Sequence, residues 1–367
     1  MHDCGHSPFS HTFEHYYTYN KEKEINDKLA EYFADDRFFH DDFVSASPAA
    51  HELISAIILL ANFSNQIKSN NASPQLAARM ILGCKYENDS DLDKKFENKL
   101  ISLLNGSGID VDTLDYIQRD SWASGVSNVD IDYARLLSSI MIKPDSQGIP
   151  KIMFKKNVLS VLGNISQGRN FLYKWVYSHH KVNYEQYLLS RIVEKINTDS
   201  KGEFCNKIFS IQSFSEPQIF NNTTYFLPTD DDIIHTIKQF SLSDLKIEEY
   251  LSRSHKLIAI WKTYFEFKEA HFDNISSANR MGIYSKLQKG ALTKKYGENS
   301  ILCLKCTPKL KSINQNDFFI DVDGKSIDAS KATVQSNENL DYFITYTTED
   351  LISKKEDIII DILNLQS

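Results

Sequence analysis

Four of the eleven histidines fall within the first fifteen residues: His2, His6, His11 and His15. Asp3 and Glu14 stand among them. Imidazole and carboxylate together form a donor set suited to Mn, Fe, Co, Ni or Zn, more so than an oxygen-only cage. The same side chains can also pass protons to and from a reacting group. Clustering alone leaves a second reading open, that of exposed or core-satisfied histidines. His15, His40, His235, His255 and His271 are read as ordinary solvent or core histidines.

Elements must hold such residues in place, and the pattern predicts helices for most of the first 200 positions. Ser10 to Tyr19 follows the break at Gly5 and Pro8 and is rich in aromatics. Ser47-Pro48 reads as a helix start, with Ser as cap and Pro at the first helical position. That helix carries His51, Glu52 and an apolar stripe of Leu53, Ile54, Ile57, Ile58 and Leu60, so it should face the core. Further helices are expected from Pro74 to Leu82, from a Ser90 cap to Leu104, and over Asp112–Ser121 and Tyr133–Met141. A turn from Lys143 to Pro150 leads to helices over Val158–Asn164 and Asn170–Asn197.

After residue 200 the character changes. Helical pieces are expected at Thr229–Phe240 and Lys246–Phe267, the first opening with Thr-Asp-Asp-Asp at its positive dipole end. Alternation then predicts strands at Ile301–Lys305, Phe318–Val322 and Tyr342–Tyr346, with Asp323-Gly324 as a hairpin turn. The expected fold is mainly α, a helical domain over 1–200 followed by a smaller α+β lobe over 201–367.

Composition bounds the function. The apolar share of 41% and charged share of 25% are those of a soluble globular protein, and the net charge of −8 argues against wholesale coating of nucleic acid. The run from Leu53 to Phe63 is too short to span a bilayer, and the N-terminus lacks the pattern of a signal peptide. Five cysteines, an odd number, give no disulfide framework and fit a cytoplasmic location. Cys303 and Cys306 form a lone CxxC inside a predicted strand and read as two strand residues.

The order of residues 2–14, His2-Asp3-Cys4-Gly5-His6-Ser7-Pro8-Phe9-Ser10-His11-Thr12-Phe13-Glu14, resembles the signature of the HD phosphohydrolase superfamily, and most closely its deoxynucleoside triphosphate triphosphohydrolases. Three further segments match in the same order. They are His51-Glu52 with Ser55; Asp110 to Asp120 followed by Asp132-Tyr133-Ala134-Arg135; and Arg169-Asn170 with Tyr177, His180 and Lys181. The likeness is clear from residue 2 to about 200.

The resemblance implies a divalent metal, Mn, Mg, Fe, Ni or Zn, held by His2, Asp3 and Asp112. In the family a helix before the HD pair supplies another metal His and a phosphate-binding Arg, so the resemblance also implies an N-terminal truncation. The metal would polarise a phosphoryl oxygen and acidify water for attack at the α-phosphorus, releasing triphosphate and a deoxynucleoside. His11 would protonate the leaving oxygen with Glu14 orienting it, and His6 and His51 would line the phosphate path. Arg169, Lys181 and Arg135 would contact phosphates, and Tyr116, Asp120 and Tyr177 the sugar. Thr113 stands where many of these enzymes carry Lys.

Other readings of these residues stay open. Asp112 could simply cap its helix, and Asp115 and Arg119 could pair along one helix face. Tyr173 and Tyr177 fall at core spacing, Trp175 reads as packing, and His179 competes with His180 because of one extra residue there. The alternatives in function are an HD phosphodiesterase or nucleotidase, or a nucleotide-binding module without turnover. A homo-oligomer is expected. The lysines at 286, 289, 294, 295, 305, 309 and 311 are a solvated surface or a patch for a regulatory nucleotide or nucleic acid.

Overall fold

The helix Ala50–Asn62 is buried nearly all round, with Ile54, Ala56, Ile57, Leu59 and Leu60 in the core. A helix apolar on so many sides belongs at the centre of a bundle, and here it packs on the helices Glu22–Tyr32 and Pro74–Leu82. The computed structural model describes residues 1–88, 90–106, 109–126, 130–144, 148, 150–240, 245–310, 319–322, 324–328 and 341–366. Over these residues the fold is mainly α, with a smaller α+β part towards the C-terminus.

The nine described strands are β1 (Ile140–Pro144), β2 (Pro150–Lys155), β3 (Gln218–Phe220), β4 (Thr223–Tyr225), β5 (Leu257–Ala259), β6 (Ile301–Cys306), β7 (Phe319–Val322), β8 (Lys325–Asp328) and β9 (Tyr342–Thr348). They form a sheet of order β1-β2-β7-β8, a β3-β4 hairpin, and a sheet of order β5-β9-β6.

The chain groups into two units that interleave in sequence, in place of the single boundary expected near residue 200. The first holds Met1–Gly168, Val193–Phe240 and the described residues of 311–335. The second holds Arg169–Ile192, the described residues of 241–310 and those of 336–367. The physical reason is strand pairing at long range. β7 returns to pair in parallel with β2, Met153 opposite Phe319, which no local pattern announces.

In the first unit an aromatic cluster fixes the histidine-rich N-terminal segment. Phe13 and Tyr17 are both buried, and their rings lie 5.7 and 5.9 Å from that of Phe209. The segment is not the continuous helix expected over Ser10–Tyr19. A 3-10 turn, Ser10–Thr12, precedes a short helix, His15–Thr18. In the second unit, Trp261, Phe267, Phe272 and Phe343 pack together over the β5-β9-β6 sheet, and the Trp261 indole donates to the Phe343 carbonyl at 2.5 Å.

Several other expectations shift for identifiable reasons. The helix expected at Ser47-Pro48 starts at Ala50, because the Glu52 carboxylate reaches back to the Ala49 N–H at 2.6 Å. Asp91, not Ser90, caps Leu92–Leu104. Residues 140–144 are β1, where the end of a helix was expected, because pairing with β2 overrides the local helical spacing. Lys246–Phe267 is two helices, Leu245–Ser252 and Tyr264–Glu269, separated by β5. Phe318 and Asp323, also named above, lie outside the described residues.

Cys303 and Cys306 are buried thiols on β6, as expected of strand residues. Leu172–Tyr177 forms a π-helix between the helices Leu159–Phe171 and His180–Asp199. Such a widened turn takes up one surplus residue while keeping register on both sides. It falls just before the extra residue noted at His179-His180.

Candidate metal centre

The opening dipeptide sits on a turn pressed against the central helix. The Gly5 N–H donates to Ser55 Oγ at 2.8 Å. A Cβ on Gly5 would lie 2.4 Å from the Ser55 nitrogen and 2.5 Å from the His51 carbonyl oxygen, so no side chain fits there. Glycine is required by this close approach, and Ser55, fully buried, is its anchor.

On that turn His2, Asp3 and the distant Asp112 converge. His2 Nδ1 lies 2.9 Å from Asp3 Oδ1 and 4.0 Å from Asp112 Oδ1. One donor atom from each falls within 4.8 Å of the others. Asp112 is available because Asp110 caps the helix Val111–Ala123, its Oδ1 accepting the Thr113 N–H at 2.7 Å. The capping role open to Asp112 in the sequence thus falls to Asp110.

The three groups perturb one another's hold on a proton. Hydrogen bonds from His2 and then His6 hold the Asp3 carboxyl well below its ordinary range, against the opposing effect of burial. Burial, and then the charge of Asp3, push Asp112 up. The hydrogen bond with Asp3 raises His2, and burial works against it. Two carboxylates and one imidazole, all partly open to solvent, match the donor chemistry of a first-row divalent ion.

Beside this trio lies a second cluster, His6, His11, Glu14 and His51. Glu14 accepts from both His11 Nδ1, at 3.1 Å, and His51 Nδ1, at 2.7 Å. Each ring meets the carboxylate through Nδ1, so Nε2 is its remaining ring nitrogen. The His6 and His51 rings stack with centroids 4.1 Å apart, and His6 Nε2 lies 3.4 Å from Asp3 Oδ1. All seven clustered residues belong to the first unit.

The other expected site residues sort by unit. Asp112, Tyr116 and Asp120 recur every four positions and form one stripe along the helix Val111–Ala123. Asp120 accepts from Arg119 Nε at 2.9 Å, while Arg119 Nη1 pairs with Asp115 at 2.9 Å, the i,i+4 pair expected. Arg135 donates to the Asn157 carbonyl. Arg169, Tyr177 and Lys181 lie in the second unit. There Arg169 is buried, donates to the Lys309 carbonyl at 2.6 Å and stacks over Tyr173. Tyr177 packs edge-on against Tyr173, and Lys181 is exposed. Burial, and then neighbouring positive groups, bring His180 down to about 4.

Sequence reasoning missed two roles. Ser55 was singled out without its partner Gly5, and Asp110 without its cap. The second was readable, since an Asp three positions before a helical N–H is a common cap pattern. The first was not, because close backbone approach leaves no local mark. Of the lysine stretch, Lys295 pairs with Asp361 and Lys286 donates to the Leu365 carbonyl, and Lys311 lies outside the described residues.

No protein-family model matches the chain. It is similar to uncharacterised proteins. MG461 of Mycoplasma genitalium is 25% identical over 244 residues, 64% of this chain and 51% of that protein. The MG461 homolog of Mycoplasma pneumoniae is 30% identical over 182 residues, 48% of this chain and 35% of that protein. YwfO of Bacillus subtilis is 27% identical over 198 residues, 53% and 35% respectively. The chain therefore spans between a third and about half of these relatives. Among solved structures, a hypothetical protein from Aquifex aeolicus superposes with TM-score 0.53 at 17% identity, over 91% of this chain and 83% of that one, a likeness of fold. Among the described residues no helix is long and apolar enough to cross a membrane.

Proposed function

We propose that this chain is a metal-dependent phosphohydrolase of the HD type that cleaves deoxynucleoside triphosphates to deoxynucleoside and triphosphate. The observation that carries the reading is the convergence of His2, Asp3 and Asp112 next to the paired His11, Glu14 and His51. His2, Asp3 and Asp112 would hold the ion, which when bound supplies positive charge to polarise a phosphoryl oxygen and lower the pKa of water.

The protein's own groups do the rest. His11, held at Nδ1 by Glu14, gives its other ring proton to the departing 5′ oxygen. His51, held by the same carboxylate, and His6 stacked upon it offer ring N–H groups to phosphate oxygens. Tyr116 and Asp120 follow Asp112 along one helix stripe and so stand in order for the sugar. Arg135, in the same unit, keeps the phosphate contact that the resemblance assigns it.

The test is release of inorganic triphosphate from each dNTP with Mn²⁺ or Mg²⁺. Release that is lost in His11→Ala supports the proposal. Cleavage of bis(p-nitrophenyl) phosphate without triphosphate release would replace it with a phosphodiesterase. Bound nucleotide without turnover would replace it with a binding module.

A further inference from the structure

The turn that carries His6 and His11 holds two consecutive non-glycine residues in the left-handed region, Phe9 at φ 57° and Ser10 at φ 51°. Each such residue is disfavoured by the clash of its Cβ with the backbone, and such conformations persist only where surrounding contacts enforce them. Within the turn, Ser7 Oγ donates to the Ser10 carbonyl at 2.6 Å, and the Ser10 N–H to the Ser7 carbonyl at 2.8 Å. The Thr12 and Phe13 N–H groups follow, bonding to the Phe9 and Ser10 carbonyls. These contacts are local, and on their own they do not choose the left-handed pair over an ordinary turn.

One contact from outside the turn comes from far along the chain. The Phe9 N–H donates to Asp230 Oδ1 at 2.7 Å. Asp230 is the first residue of the helix Asp230–Gln239, in the same unit. Its carboxylate is not consumed by helix capping, because Asp232 closes the cap with Thr229, accepting the Thr229 N–H at 2.7 Å. Ser10 in turn touches the site, its Oγ lying 3.2 Å from His6 Nδ1.

We infer that Asp230 is a positioning residue. By gripping the Phe9 amide it holds the strained Phe9-Ser10 pair, and through that pair it adds to the contacts with Asp3, His51 and Glu14 that set where His6 and His11 stand. The catalytic part of this inference rests on the function proposed above, whereas the structural part does not.

The experiment uses the full chain with Asp230→Ala, Asp230→Asn, Phe9→Gly and the double variant Phe9→Gly/Asp230→Ala. Two readouts are followed, amide exchange of Ser10, Thr12 and Phe13, and dNTP turnover. Asp230→Ala should speed exchange at those three amides about tenfold and lower kcat by a similar factor, with KM nearly unchanged. Asp230→Asn keeps an oxygen acceptor and should stay near wild type. Both variants lose the charge at the helix start, so this contrast separates the grip from the helix dipole. Glycine adopts the left-handed backbone without penalty, so Asp230→Ala should matter at least threefold less in the Phe9→Gly background.

Equal effects of Ala and Asn, or unchanged exchange in Asp230→Ala, would overturn the inference. If wild type shows no turnover, the proposed function fails. The exchange readout then still decides whether Asp230 holds the turn.

Discussion

Asp112 faces His2 across 4.0 Å while Asp110, on the same helix, takes the cap. The division of labour between two neighbouring aspartates lets one stabilise the helix while the other keeps its charge for the site.

That division has opposite consequences for stability. Asp110→Ala should cost about 1 kcal/mol through the lost cap. Asp112 is pushed up by burial and then by the Asp3 charge, so its ionised form opposes folding at neutral pH. Asp112→Asn should therefore stabilise the metal-free protein, by up to about 1 kcal/mol, as replacements of crowded site charges often do. Urea unfolding in a chelator measures both. Destabilisation by Asp112→Asn equal to that of Asp110→Ala would show that both residues serve the helix alone.

Gly5→Ala should lose about 1–3 kcal/mol, since the new methyl overlaps backbone atoms of the central helix that cannot rotate away. Ser55→Ala, which removes only the acceptor for the Gly5 N–H, should lose about 1 kcal/mol. Thermal denaturation ranks the two. A Gly5→Ala protein as stable as wild type would mean that the turn lies further from the helix.

Arg79 is fully buried between Asp36, at 2.7 Å, and Asp42, at 2.9 Å, with Tyr86 stacked on its guanidinium. Removing one partner of a buried ionic group strands the others. Arg79→Met should thus cost about 3–5 kcal/mol in unfolding free energy. A loss under about 1 kcal/mol would show that water reaches the two carboxylates.

Glu14 gives a pH signature. Burial would raise its carboxyl, but the hydrogen bonds from His11 and His51 outweigh that and hold it far below its ordinary 4.5. A carboxyl depressed in the folded state contributes stability that is full above the unfolded value and is lost as pH falls below it. Wild type should therefore lose stability below about pH 4.5 more steeply than Glu14→Gln. Parallel curves in acid unfolding followed by circular dichroism would contradict this.

Much of the site was legible because its chemistry is local in sequence. His2, Asp3, His6, His11 and Glu14 fall within one short N-terminal segment, and His51 follows an ordinary helix start. Asp112 was legible as a residue, but its freedom to face His2 depends on Asp110. The fold was legible as mainly helical from its periodicity. The interleaving of the two units was not, because β7 joins β2 across more than 160 positions and each partner strand is short. Asp230 was read as a dipole residue, and its grip on Phe9 depends on a contact that spacing does not encode.

Calorimetric titration of the full chain with Mn²⁺, after removal of metal by a chelator, decides whether His2, Asp3 and Asp112 hold an ion together. Wild type should bind one ion per chain, with binding weakened at least a hundredfold in Asp112→Ala and in Asp3→Ala but unchanged in Asp110→Ala. Equal binding in wild type and Asp112→Ala, or none in either, would contradict a shared site.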